Sequence, residues 1–233
     1  MSKGILYLIP VPIHSEDDFD IKLIPPYIIE IINSIKFFAV ENIRTSRRFI
    51  KKLNPKFDID NSNFFIVDKR ADKEIIKEII NHILDGSNVG VMSESGCPGI
   101  ADPGQEICEL AHKNQIVIKP LIGPTSIISA LMASGLNGQE FKFHGYLPIE
   151  QNERIKKIKI IQESSGAHIF IETPYRNQKV FEDLIKHLKP QKRKISIAID
   201  LTGKGEKIIT KSVYEFSNSK IILEKKPTIF IFE

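Results

Sequence analysis

Apolar residues recur along this chain in two alternating rhythms. Short β-branched and aromatic runs at 4–9, 37–40, 64–67, 88–92 and 116–118 read as strands buried on both faces. Between them, apolar positions three or four apart predict helices over 25–35, 72–84, 103–113 and 126–133, with a further helix directly after the second strand. Residues 15–20 are acidic and read as a loop. Strands alternating with helices of this length predict a mostly parallel sheet with right-handed crossovers. Small and polar residues then cluster at Ser134-Gly135-Leu136-Asn137-Gly138-Gln139, and a new apolar run begins. The second half offers runs at 141–146, 168–172, 195–199, 208–211 and 228–232, with helices over 150–161 and 175–188. Fewer helices separate its last strands, which predicts a mixed sheet. The pattern is that of an α/β protein with two domains, 1–136 and 137–233.

Composition narrows the class. With 233 residues and 42% apolar content the chain can bury a sizeable core, and no bias marks disorder. A net charge of +4 is too modest to argue for nucleic acid by itself. Cys97 and Cys108 have neither disulfide-framework nor metal-site spacing, which suits a reducing cytosol. The opening run 4–13 is short, broken by Pro10 and Pro12, and preceded only by Lys3, so it is not read as a signal peptide. No later stretch is long enough to span a membrane, and the expectation is a cytoplasmic protein.

Chemistry concentrates where strands end. After the run 89–92 the chain breaks into SESGCPGIADPG, residues 93–104, where glycine and proline alternate with acidic and hydroxyl side chains. Asp102 suits the N-cap and Pro103 the first turn of the next helix. A buried strand that stops at such a loop places it at the carboxyl end of a sheet, where open α/β folds bind ligands. Gly96 and Gly99 allow close backbone approach, and Glu94 brings a carboxylate to the same place. A second strand-to-helix loop, Gly123-Pro124-Thr125-Ser126, offers an N-cap and free N–H groups that favour a carboxylate or phosphate.

Charge adds a third feature. Arg44, Arg47, Arg48, Lys51 and Lys52 follow i, i+3, i+4, i+7, i+8 spacing and share one helix face without interleaved acids, as a polyanion site would. Arg154, Lys156, Lys157 and Lys159 repeat the theme, and Lys192-Arg193-Lys194 form another cluster; both serve solubility equally well. Glu172-Thr173-Pro174-Tyr175-Arg176 puts a carboxylate and an arginine at a strand end, either as a site or as a local ion pair that orders the turn. His14, His82, His112, His144, His168 and His187 show no metal-ligand spacing, and no metal is expected. No Ser-His-Asp set, phosphate-binding P-loop or dinucleotide glycine fingerprint is present.

The strings SESGCPGIADPG, PLIGPTSIISALMASGL, HGYLPIEQNER, IETPYR and ENIRTSRRFI resemble successive motifs of the tetrapyrrole methylase superfamily. More closely, they resemble its bacterial branch that methylates a ribose 2′-hydroxyl in small-subunit ribosomal RNA. The resemblance runs in order from Gly4 to about Thr202. It implies a homodimer of two-domain α/β chains with S-adenosylmethionine in the cleft between the domains. It also implies cofactor contacts from Pro12, Glu94, Ser95, Gly96, Cys97, Thr125 and Ser126, and from Glu172, Ala198, Asp200 and Thr228 in the second half. Glu41 becomes a candidate base and Arg44 a candidate phosphate contact, with RNA held by the Arg44, Arg47, Arg48, Lys51, Lys52 face.

The departures from the family pattern bear on the substrate. The Thr-Pro-Ile-Gly-Asn-Leu start is here Val11-Pro12-Ile13-His14-Ser15-Glu16, and Glu-Asp-Thr-Arg becomes Glu41-Asn42-Ile43-Arg44. The aspartate of the main loop is Glu94, and Glu-Leu-Thr-Lys becomes Asp200-Leu201-Thr202-Gly203. The chain stops at Glu233, without the C-terminal segment usual in the ribosomal branch. A tetrapyrrole of the cobalamin or sirohaem pathways is the alternative acceptor. A protein that kept the pocket and lost the chemistry is a third reading.

Overall fold

The computed structural model describes residues 2–13, 19–68, 72–189 and 193–233. The acidic loop Glu16-Asp17-Asp18, His14 and Lys192 lie outside the described residues. The chain divides into two compact units, Met1–Thr125 and Ser126–Glu233.

The first unit begins with β1 (Ile5–Ile9), a 3-10 turn (Ile21–Leu23), α1 (Pro26–Ser34), β2 (Phe37–Val40) and α2 (Ile43–Leu53). It continues with β3 (Asn63–Ile66), α3 (Lys73–Leu84), β4 (Val89–Met92), α4 (Gln105–Lys113) and β5 (Val117–Pro120). All its strand pairs are parallel, in the order β3-β2-β4-β1-β5. Odd positions of β1 (Tyr7, Ile9) join Ile28 and Ile32 of α1 and Ile50 and Leu53 of α2 in one apolar layer. Even positions turn the other way, so Leu6 packs with Ile76, Ile79 and Ile83 of α3 and Ile107 of α4. The period-2 alternation of a strand thus feeds two helical layers, one on each face.

This arrangement creates a crevice. β4 lies between β2 and β1. Its chain leaves toward α4 on one face, whereas β1 and β2 feed α1 and α2 on the other. Neighbouring strands that send their chains to opposite faces open a gap beyond their carboxyl ends, the usual ligand position in such sheets.

The second unit holds α5 (Ser126–Ser134), β6 (Phe141–Phe143), α6 (Gln151–Ile161), β7 (Ala167–Glu172) and α7 (Asn177–His187). These are followed by β8 (Lys194–Ile199), β9 (Lys207–Ser212), α8 (Val213–Ser217) and β10 (Thr228–Phe232). Its order is β6-β7-β10-β8-β9; only β6 and β7 pair in parallel, which makes the sheet mixed as the sequence predicts. Ile158 and Ile161 of α6 and Val180, Phe181 and Leu184 of α7 bury one face against Phe170, Ile197 and Phe230. Helix α5 packs on β8, β9 and β10, and Thr210 Oγ1 donates to the Ser134 carbonyl at 2.8 Å. The compact unit therefore starts at Ser126, upstream of the small-residue cluster 134–139.

Arg154 does not belong to a basic surface. It is 1% exposed, with Nε donating to Asp183 Oδ2 at 2.7 Å and Nη1 donating to the Pro148 and Ile149 carbonyls. Its spacing to Ile158 and Ile161 puts it on the buried stripe of α6.

Two histidines meet beside the parallel strand pair. His144 Nε2 and His168 Nδ1 lie 3.0 Å apart, so one ring must donate and the other accept. His144 also stacks on Phe170 and His168 packs against Phe232. Burial, then the neighbouring His168, lowers the His144 pKa to about 4, and burial lowers that of His168. Both folded values lie below the unfolded one, so the stability from this pair is full above about pH 6.5 and falls as pH drops toward 4. We expect about 1–2 kcal/mol to be lost over that window after allowing for partial exposure. Thermal melting of the wild type and of His144→Phe across about pH 4–7 checks this; the variant should show the shallower acid decline.

Candidate active site

The carboxyl edge of the parallel sheet gathers most first-half site residues. Ser93 is buried at the end of β4, while Glu94 and Ser95 are exposed. The loop is tied to two neighbouring strand ends. Glu94 N–H donates to Glu41 Oε2 at 3.2 Å, just past β2. Ser95 Oγ donates to the Ile13 carbonyl at 2.7 Å, and Val11 N–H donates to the Gly96 carbonyl at 2.9 Å, making an isolated bridge beyond β1. Pro12 lies between those two attachments. Cys97 Sγ approaches the Pro124 carbonyl at 3.5 Å, which links the loop to the segment after β5. Burial, then the charge of Asp102, raises the Cys97 pKa and keeps it a thiol.

Gly96 and Gly99 have φ of +74° and +80°, and a Cβ on either would meet nothing within 4 Å. The left-handed backbone asks for glycine there, and the space alongside is open. The loop runs on through Ala101 at φ +65° to Gly104, which is the N-cap of α4. The helix therefore starts at Gln105, two residues after the predicted start at Pro103, and Asp102 is not its cap. Four residues of positive φ between 96 and 104 carry the chain past the point where local sequence signals a helix.

Three features of this edge escape the sequence reading. Asn42 caps α2, its Oδ1 accepting from the N–H groups of Arg44 at 2.9 Å and Thr45 at 3.3 Å. Asparagine caps as well as aspartate, so the departure from Glu-Asp-Thr-Arg leaves the helix start intact; an Asn before the apolar period was the available signal. Tyr27 of α1 donates to the Ile122 carbonyl at 2.8 Å and accepts the Ile122 N–H. A Cβ on Gly123 would lie 2.6 Å from Cβ of Pro10. These last two are contacts between distant segments and have no local signal.

Three cations of the predicted basic face of α2 have partners within the chain. Arg47 pairs with Asp60 at 2.9 Å, and Lys51 Nζ donates to the Phe57 and Pro55 carbonyls. Lys52 Nζ lies 4.0 Å from the centre of the Phe19 ring. Arg44 and Arg48 are exposed.

In the second unit, Thr228 pairs with Glu172 on one side and Ile199 on the other, which brings Glu172, Asp200 and Thr228 to one sheet end. All three are buried. Glu172 Oε2 lies 3.1 Å from Arg176 Nη2, and its Oε1 accepts the Thr173 N–H. Asp200, at φ +54°, accepts the Gly205 N–H at 2.9 Å and faces Lys226 Nζ at 3.6 Å. Asn177 donates to Thr228 Oγ1 and to the Glu224 and Lys226 carbonyls. Ala198 is buried against β10 opposite Ile229, and Ser126 opens α5. Among the described residues no group of His, Cys, Asp or Glu could hold a metal ion, and no helix is long and apolar enough to cross a membrane.

Comparison with known proteins finds relatives of the chain as a whole. The family model described as Tetrapyrrole (Corrin/Porphyrin) Methylases matches residues 14–217. The ribosomal RNA small subunit methyltransferase I of Buchnera aphidicola subsp. Baizongia pistaciae is 34% identical over 211 residues, 91% of this chain and 68% of that protein. The protein of the same name from Hydrogenobaculum sp. is 31% identical over 204 residues, 88% of this chain and 84% of its own length. Among solved structures, the methyltransferase CobJ superposes with a TM-score of 0.62 at 15% identity, covering 99% of this chain and 94% of its own.

Proposed function

The chain belongs to the tetrapyrrole methylase family, and we propose that it transfers the methyl group of S-adenosylmethionine to a ribose 2′-hydroxyl of small-subunit ribosomal RNA. The observation that carries the choice of acceptor is the identity of about a third with proteins named as small-subunit ribosomal RNA methyltransferases.

The residues at the sheet edge fit such a cofactor. The exposed Glu94 carboxylate suits ribose hydroxyls or an amine, and the open space beside Gly96 and Gly99 admits a ligand close to the backbone. When bound, S-adenosylmethionine supplies an electrophilic methyl group for in-line displacement. What remains for the chain is to orient the acceptor hydroxyl, exclude water and receive a proton. Loops tied together by the Val11–Gly96 bridge and the Ser95–Ile13 bond offer a fixed frame for that work. Arg44 and Arg48 are exposed beside it on α2 and supply phosphate contacts. Glu41 can serve either as proton acceptor or as support for the Glu94 backbone, and its hydrogen bond favours the second.

Transfer of labelled methyl from the cofactor to small ribosomal subunits, with tetrapyrroles offered in parallel, tests the acceptor. Label in the subunits at a ribose is expected; label in tetrapyrroles alone overturns the choice. By calorimetry, Glu94→Ala should weaken cofactor binding by about tenfold or more, the loss of one charge-assisted bond.

A double variant, Arg44→Ala with Arg48→Ala, tests the RNA face. For every phosphate that the protein no longer neutralises, the log–log salt dependence of RNA binding should flatten by roughly 0.7 to 0.9, with cofactor affinity unchanged. Arg47→Ala should leave that slope alone and lower stability by about 0–1 kcal/mol, because its guanidinium is engaged with Asp60 at the surface.

A further inference from the structure

We propose that Glu41 is a positioning residue that holds the backbone of Glu94, rather than the group that takes the acceptor proton. The inference rests on reading the 93–104 loop as the cofactor site, and it assigns the work of a side chain in the neighbouring strand connection.

Sheet register brings the two together. β2 and β4 pair in parallel with Val40 opposite Met92, so the residues that follow leave the sheet side by side. Glu41 is the first residue past β2, and its Oε2 accepts the Glu94 N–H at 3.2 Å. The position of Glu41 is itself well determined. It has a buried strand behind it, and ahead of it Asn42 caps α2 through two backbone N–H groups. A carboxylate placed on such a segment can help to fix the geometry of the neighbouring loop.

That partner's path depends on its attachments to the neighbouring strand ends. From Gly96 onward the loop depends on positive-φ residues, and a Cβ on Gly96 or Gly99 would touch nothing. Gly96 and Pro98 are buried, yet the glycines bring no side chain of their own to fix the path, so hydrogen bonds share in defining it. Ser95 and Gly96 are fastened to the segment after β1, Glu94 to Glu41, and Cys97 to the Pro124 carbonyl. Without Glu41 the attachment on the β2 side is gone, and Glu94 is the residue whose exposed carboxylate has to meet the ligand. The bond is from a carboxylate to a backbone N–H, and at 3.2 Å it is the restraint that Glu94 has on the β2 side.

Glu41→Ala and Glu41→Gln separate the two roles, because a glutamine carbonyl still accepts the Glu94 N–H but cannot act as a base. Three quantities are read: amide exchange at Glu94, cofactor Kd, and kcat against pH on small ribosomal subunits. For a positioning residue, Glu41→Ala should speed exchange at Glu94 and raise the cofactor Kd about tenfold. Glu41→Gln should restore both to within about threefold, with the pH profile unshifted. A drop in kcat of about a hundredfold or more in Glu41→Gln, with Kd unchanged, would make Glu41 the proton acceptor and overturn the proposal. Unchanged exchange and Kd in Glu41→Ala would overturn it as well. If the wild type binds no cofactor, the functional reading fails, and exchange at Glu94 still decides whether Glu41 holds the loop.

Discussion

Replacing Asp183 by alanine is expected to destabilise the protein by about 3–5 kcal/mol, since it leaves a buried guanidinium without its counter-charge. Arg154 is 1% exposed, and Nε and Nη2 both lie 2.7 Å from Asp183 Oδ2. Gln151 Nε2 donates to the other oxygen at 3.0 Å, so the carboxylate is held on both sides. The Pro148 and Ile149 carbonyls, which take Nη1, can compensate only part of the missing charge. Urea unfolding of Asp183→Ala and Arg154→Ala should show losses of similar size. The double variant Arg154→Met with Asp183→Leu should recover most of the stability, because removing both charges removes the desolvation that the pair exists to offset. A loss below about 1 kcal/mol in Asp183→Ala would mean that water reaches the guanidinium.

The same pair shows where local sequence reasoning stops. Arg154 stands among Lys156, Lys157 and Lys159, and charge alone groups it with them. Periodicity tells it apart, for Arg154, Ile158 and Ile161 fall on one helical stripe, yet only the α6–α7 packing supplies the aspartate that lets an arginine remain there. Arg47 shows the same limit. Its spacing along α2 suits a basic face, and Asp60, arriving from the loop before β3, gives it an exposed ion-pair partner that spacing does not reveal. Charges are read locally, whereas their partners come from segments that the fold brings near.

The alternation of strands and helices was legible for a simpler reason. Runs such as Val89-Gly90-Val91-Met92 have no polar position to expose, so burial on both faces and a parallel sheet follow from the residues themselves. The loops at the strand ends were legible through glycine and proline. Their mutual attachments were not: the Val11–Gly96 bridge, the Glu41–Glu94 bond and the Tyr27–Ile122 pair each join residues more than fifty positions apart. The late start of α4 belongs with them, since a run of positive-φ residues outweighs a favourable Asp-Pro signal.

Gly123→Ala should lower both stability and cofactor affinity, the second largest effect expected. The added Cβ would sit 2.6 Å from Cβ and 2.9 Å from Cγ of Pro10, a ring that cannot rotate away. The loop after β5 has little freedom to retreat. Leu121 N–H donates to the Leu8 carbonyl at 2.9 Å, and Tyr27 brackets both backbone polar groups of Ile122. Overpacking of this kind costs about 1–3 kcal/mol, and any relief must come from moving the Pro124–Thr125 segment. If Thr125 contacts the cofactor, a displacement that removes one bond weakens binding about tenfold. Gly138→Ala is the control, for its Cβ would meet nothing within 4 Å and its φ is not positive. Tyr27→Phe frees Ile122 from its bracket, so combining it with Gly123→Ala should lose less stability than the sum of the two single changes. Strict additivity would mean that Tyr27 does not confine the loop, and the affinity loss in Gly123→Ala would then have to arise from Pro10 moving the end of β1.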